Sequence, residues 1–210
     1  MFPPGKLPAE RLEAMLAALP RRDPRVLVGP RPGEDAAVID IGAGNCLVVT
    51  TDPITFATDR IGSYAVHVNA NDVAVMGAAP RWLSLVLLLP PKRADAALLD
   101  SIVADAVAAC ESIGVTLCGG HTEVTAGLDR PIAVGQMIGE VDASRLLRKD
   151  SLVAGDVVIL AGVAATEGTA ILAREKRAEL AGAVPAALLD RAAGFLDNPG
   201  ISVVRAALAA

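Results

Sequence analysis

An α+β fold, with helices laid on one face of a mixed sheet, is predicted from three features of this 210-residue chain. Apolar residues cluster in strand-length runs at 36–41, 46–51, 80–89, 115–118 and 131–141. Two long alanine-rich segments, 60–76 and 95–113, fall between those runs and end at Gly77 and Gly114, residues suited to a left-handed helix stop. The chain is also long enough to bury a core without disulfide staples.

Each element has a local reason. Leu12, Met15, Leu16 and Leu19 recur at helical spacing before Pro20, which predicts a first helix. Residues 21–33 are rich in Pro, Gly and Arg and read as a loop, either merely solvated or facing an anion. Gly42, Ala43, Gly44 and Asn45 connect runs 36–41 and 46–51 as a hairpin. Thr58 or Asp59 can cap helix 60–76. The run 80–89 reads as a strand buried on both faces, closed by Pro90 and Pro91. The run 115–118 reads as a short buried strand leading into Gly119 and Gly120. Past Val141 the composition turns polar, which places a domain boundary near residue 150 and divides the chain into 1–150 and 151–210. The second part reads as one strand, 156–160, and three helices: 169–177, near 185–196, and one started by Asn198 and Pro199. That is too little sheet to bury its own apolar surface, so the expectation is the opening of a second α+β domain that is cut short.

Composition excludes several function classes. A net charge of −5 and 2% aromatic residues offer neither a basic footprint nor a stacking surface for nucleic acid. Cys46, Cys110 and Cys118 have no CxxC spacing, so neither a disulfide framework nor a zinc knuckle is expected, and all three read as buried fillers. The longest apolar stretches, 82–89 and 157–165, are too short to span a bilayer, and the first eleven residues hold no signal core. These features predict a soluble protein of a reducing compartment, the cytoplasm.

The chemistry concentrates in acids at strand ends or inside an apolar helix. Between positions 34 and 90 there are six acids (Glu34, Asp35, Asp40, Asp52, Asp59, Asp72) against two bases (Arg60, Arg81). Converging carboxylates without bases raise one another's pKa, a cost that a cation relieves. Hard carboxylate oxygens suit Mg²⁺, which keeps waters and substrate phosphates as further ligands. Asp35, Asp52, Asp72 and Glu123 are therefore candidates for a Mg-phosphate site with no base nearby. Asn69 and Asp72 are three apart and share a helix face. Gly119 and Gly120 permit close backbone approach, and His121 is a candidate phosphate or carboxylate contact. No GxxxxGK[ST] or GxGxxG occurs, which excludes a Walker loop and a dinucleotide fingerprint.

Four motifs occur in order: GEDAAVID at 33–40, TTDP at 50–53, IGSYAVHVNANDVAVMGAAPR at 61–81 and GGHTE at 119–123. Together they resemble the aminoimidazole ribonucleotide (AIR) synthase-related superfamily, and within it the HypE-like branch of hydrogenase maturation factors. The resemblance runs from about residue 5 to about 174. It implies a PurM-like N-terminal ATP-binding domain, a second α+β domain, and a homodimer joined through the N-terminal sheets. It further implies ATP with Mg²⁺ in a cleft between the protomers. Carried over by motif, Asp35, Asp52 and Asp72 would be metal ligands, and Asp35, Thr51, Asn71, Gly119, Gly120, His121, Thr122 and Glu123 would bind ATP or its phosphates. Asn71 would support Asp72. The implied reaction phosphorylates, and in some members dehydrates, a carbonyl or carboxamide acceptor, with a maturation partner protein in the hydrogenase setting. Two other readings stay open: a nucleotide-binding scaffold without turnover, and a small-molecule kinase like thiamine-monophosphate kinase. His121 stands where those kinases carry an acid. Selenophosphate synthases need a reactive residue near the N-terminus, whereas the first cysteine here is Cys46, and the terminal cysteine of cyanide-forming HypE proteins has no counterpart at Ala210.

Overall fold

A computed structural model describes residues 1–20, 23–160 and 162–210. Six strands form one sheet in the order β1-β2-β3-β6-β4-β5: β1 Val26–Val28, β2 Ala37–Gly42, β3 Asn45–Ile54, β4 Ala79–Leu89, β5 Thr116–Val124 and β6 Ile132–Asp142. All neighbours are antiparallel except β4 and β5, so the sheet is mixed as expected. The parallel pair needs a crossover, and helix α3 (Ala96–Ile113) supplies it. Asp95 caps α3 by accepting from the Leu98 amide at 2.8 Å, and Gly114 ends it at φ 71°.

Helix α2 (Ile61–Ala74) lies between α3 and the sheet, and ten of its fourteen residues are buried. Glycines set how closely it docks. A Cβ at Gly62 would overlap the α3 backbone, and one at Gly139 would overlap Val73. The helix is not capped by Thr58 or Asp59 as predicted. Its first residue follows Arg60 in a left-handed conformation, and the Thr58 and Asp59 amides bind the Glu175 carboxylate instead.

One face of the sheet carries the core: Val38, Val48, Leu83, Leu85, Leu87 and Met137 are buried beneath the helices. The other face has no covering layer among the described residues. Leu47, Val49, Trp82, Val86, Val134 and Ile138 alternate onto it and remain half-buried or exposed. Thus β4 is not buried on both faces within one chain. The strand β5 departs further from expectation. It is nine residues long, runs through Gly119–Glu123, and is exposed throughout. As the parallel edge partner of β4, it pairs over the full 82–89 run, which carries it past the glycines.

Helix α1 (Ala9–Ala17) forms where predicted but buries no residue. Arg21 and Arg22 of the basic loop lie outside the described residues. Within that loop β1 forms unexpectedly, and Arg25 and Arg31 pair with Asp23 and Glu34. Beyond residue 150 the predicted strand 156–160 is absent: Val157, Val158, Ile159 and Leu160 are 71–100% exposed, because no strand edge lies beside them to accept their hydrogen bonds. Four short helices follow: α4 Thr166–Glu175, α5 Arg177–Leu180, α6 Ala186–Ala193 and α7 Val204–Ala209. The last begins five residues past Pro199 rather than on it. Ala170, Leu196, Ile201 and Val204 join the same core as α2. Cys46 and Cys110 are buried fillers, but Cys118, on the edge strand, is exposed.

Candidate functional site

Helix α2 and strand β3 build a corner around three acids. Alternation along β3 turns Thr50 and Asp52 toward α2 and Thr51 to the open face. Asn69 is fully buried and grips β3. Its Oδ1 accepts from the Asp52 amide at 2.9 Å, while its Nδ2 donates to Ala65 O at 2.8 Å and to Asp52 O at 3.3 Å. The amide fits because Gly135 lies beneath it; a Cβ there would overlap Asn69. Asp72, one turn on, faces the same strand, as the three-residue spacing foretold.

Burial and the neighbouring Asp52 and Asp35 carboxylates push Asp72 up to about 8, and the Thr50 hydroxyl pulls the other way. The Thr50 hydroxyl stands between two acceptors, the Asp35 carbonyl at 2.8 Å and Asp72 Oδ2 at 3.3 Å, and can donate to either. A cation placed beside these carboxyls would relieve the crowding.

Asp35 takes part through its charge and its carbonyl rather than by completing a ring of ligands. No group of three His, Cys, Asp or Glu among the described residues is arranged to hold a metal ion. Nor are the acids without a base, as the sequence suggested. Lys149 Nζ lies 3.6 Å from Asp35 Oδ2 and 3.9 Å from Glu34 Oε2, and Arg31 Nε donates to Glu34 Oε1 at 2.7 Å. Lys149 belongs to the polar stretch 144–150, which reads in sequence only as a boundary. The donors do fit Mg²⁺, which needs one or two carboxylates and keeps its waters and phosphate oxygens.

Asn71 stands apart from Asp72. It lies on an adjoining face of α2, where its Nδ2 donates to Ile201 O and its Oδ1 accepts from Val203 N, both at 2.8 Å. Beside it opens a cavity of about 500 Å³, lined by Thr166 and Glu167 of α4 and by residues 199–203. Burial and then the charge of Asp52 raise the Glu167 pKa, so this carboxyl faces the same corner. No sequence pattern singled out this glutamate.

The other predicted residues are not brought to this corner within one chain. Gly119, Gly120, His121, Thr122 and Glu123 lie on β5, three strand spacings from β3, or roughly 14 Å. His121 and Glu123 project onto the open face beside Val86 and Leu88, with His121 Nε2 3.3 Å from Glu123 Oε2. The Thr125 hydroxyl, which donates to Glu123 at 2.6 Å, and then His121 hold the Glu123 carboxyl below its usual range. Thr51 shares that open face, paired across the ladder with Gln136.

Residues 33–141 match the family of AIR synthase related proteins, N-terminal domain. The chain is 35% identical over 150 residues to the putative hydrogenase expression/formation protein MJ0676 of Methanocaldococcus jannaschii, covering 69% of this chain and 44% of that protein. It is 32% identical over 186 residues to the carbamoyl dehydratase HypE of Cupriavidus necator, covering 83% and 53%. It is 31% identical over 180 residues to the selenide, water dikinase of Citrifermentans bemidjiense, covering 84% and 51%. The chain thus spans about half the length of these relatives. Among solved structures, tt0281 from Thermus thermophilus superposes with a TM-score of 0.67 at 23% identity, covering 89% of this chain and 60% of that one. AaThiL complexed with AMPPCP and TMP gives 0.66 at 19% identity, covering 83% and 56%. These likenesses establish the PurM-like fold.

Proposed function

The chain belongs to the AIR synthase-related family, and on that footing we propose that it binds ATP with Mg²⁺ and transfers a phosphoryl group to a carbonyl or carboxamide oxygen, as part of hydrogenase maturation. The observation that carries this reading is the corner where β3 and α2 bring Asp52 and Asp72 together, with Asn69 and Thr50 bonding across it. Mg²⁺ would be held by Asp52 and Asp72, with Asp35 adding charge, and would neutralise the phosphates. The chain's own residues orient. Asn69 fixes the β3 backbone at Asp52, and Thr50 stands between Asp72 and the Asp35 carbonyl. Catalysis would rest on positioning and charge neutralisation. The relatives named for hydrogenase maturation favour a carbonyl or carboxamide acceptor, carried or consumed by a partner protein.

The second element of the proposal is a homodimer joined through the open sheet face. The apolar rows of β3, β4 and β6 lack a covering layer, and the β5 residues stand on that same side. A second copy would cover the apolar rows beside Thr51, His121 and Glu123, and Thr51, Gly119, Gly120, His121, Thr122 and Glu123 would serve as phosphate contacts in the dimer. Titration of the Asp72→Asn variant with a non-hydrolysable ATP analogue in Mg²⁺ tests the reading. Loss of binding with the fold intact by circular dichroism supports it, and wild-type affinity in the variant overturns it.

A further inference from the structure

We infer that Asn71 is a positioning residue: its amide clamps residues 201–203 against α2 and thereby seats α4, with Glu167, across the cavity from it. This rests on the proposed nucleotide site only for its consequence, not for the clamp itself.

Both ends of the Asn71 amide are used. One donates to Ile201 O and the other accepts from Val203 N, a two-point bond to a backbone 130 residues away in the chain. The described residues between 152 and 165 form no helix or strand, so the connection imposes no orientation. Apolar contacts come from Ala170, Leu196, Ile201 and Val204, with Ile171, Phe195, Ala207 and Leu208 packed beside them, and these are non-directional. Glu175 receives the Thr58 and Asp59 amides, Arg174 reaches Asp59, and Arg60 reaches Asp197 at 3.3 Å. The exposed ion pairs among these hold weakly.

The facing stripe of α2 is only partly matched. Arg60, Tyr64, His67 and Asn71 recur at i, i+4, i+7 and i+11 and share one side of the helix. The Tyr64 hydroxyl and His67 Nδ1 are buried without a partner, and Arg60 Nε lies 3.0 Å from Asp105 but out of line for a hydrogen bond. Asn71 is the member of the stripe that the segment satisfies completely. Docking of the segment therefore depends on it, and docking is what carries Thr166 and Glu167 to the cavity wall. The charge of Asp52 is felt at Glu167, as expected if the wall closes over the acidic corner.

The test is amide hydrogen exchange together with titration by Mg²⁺ and a non-hydrolysable ATP analogue, on wild type, Asn71→Ala and Glu175→Ala. Glu175 anchors the same segment from its far side and touches neither Asn71 nor the Asp52–Asp72 pair. Asn71→Ala is expected to speed exchange across 196–209 about tenfold or more, while β3 and β6 keep their protection. Analogue binding is expected to weaken in both variants, through the same undocking. Unchanged exchange in Asn71→Ala overturns the clamp. So does loss of binding in Asn71→Ala with full binding in Glu175→Ala, which would make Asn71 a direct ligand. If wild type binds no analogue, the functional reading fails alone, and the exchange comparison still decides the clamp.

Discussion

At the β3–α2 corner, a buried amide, a threonine hydroxyl and packed carboxyl groups push the Asp72 pKa up to about 8. On β5, His121 and Glu123 stand in solvent with Thr125, and the same kind of carboxyl is shifted the other way, downward. The contrast lies in the surroundings rather than in the residue type. A carboxyl crowded by burial and like charge is held ready for a cation, whereas one with only hydrogen-bond donors beside it is already content as an anion. In the proposed site the first half lies within one chain, and the second half is an exposed edge strand.

Breaking the crowded half has the largest expected effect. Asp72→Asn removes one proposed metal ligand, so calorimetric affinity for the Mg²⁺ complex of an ATP analogue should fall about 100-fold or more, ~2.7 kcal/mol. Glu123→Gln should cost about tenfold, ~1.4 kcal/mol, and only under conditions where the chain is dimeric. Equal losses in a monomeric sample would erase the distinction between the two halves.

Changes to the scaffold are read in stability rather than in binding. Asn69→Ala deletes the bonds that hold β3 at Asp52 and leaves a buried amide unmet, for a loss of about 3 kcal/mol in denaturant unfolding. Gly135→Ala, which would drive a Cβ into Asn69, should cost about 2 kcal/mol. Gly119→Ala meets only Ser84 Oγ at 4.0 Å and should leave stability within about 0.5 kcal/mol of wild type.

Stability should also depend on pH. Asp72 has a folded pKa of about 8, above its ordinary value of 3.8, so its protonated form stabilises the fold. That contribution is full below the ordinary value and is lost as pH rises toward 8. In metal-free buffer the melting temperature should drop across this window, and Asp72→Asn should flatten the drop. Glu123, shifted downward, contributes in the opposite sense, gaining above its ordinary range and losing as pH falls.

The parts of this architecture governed by local rules could be read from sequence. Asp95 and Gly114 bounded α3, the Gly42–Asn45 turn gave the β2–β3 hairpin, and the Asn69–Asp72 spacing put both side chains over β3. Features made by distant encounters could not. Lys149 reaches Asp35 from more than a hundred residues away, and Glu175 replaces the expected cap at Thr58. Asn71 looked like a companion of Asp72, but one step along a helix rotates a side chain by about 100°, which aims it at the C-terminal segment instead. The run 157–160 has strand composition without a strand, because β structure is completed by a partner edge that sequence pattern does not reveal. The edge position of β5 was hidden for the same reason.

The central claim is that the Asp52–Asp72 pair receives Mg²⁺ with a nucleotide. It is tested most directly by titrating the wild-type chain with a non-hydrolysable ATP analogue near neutral pH, with and without Mg²⁺, in two buffers of different ionisation enthalpy. The account predicts Mg²⁺-dependent binding near one site per chain, with release of about one proton as the metal displaces it from Asp72. Binding that is indifferent to Mg²⁺, or that releases no proton, would contradict it.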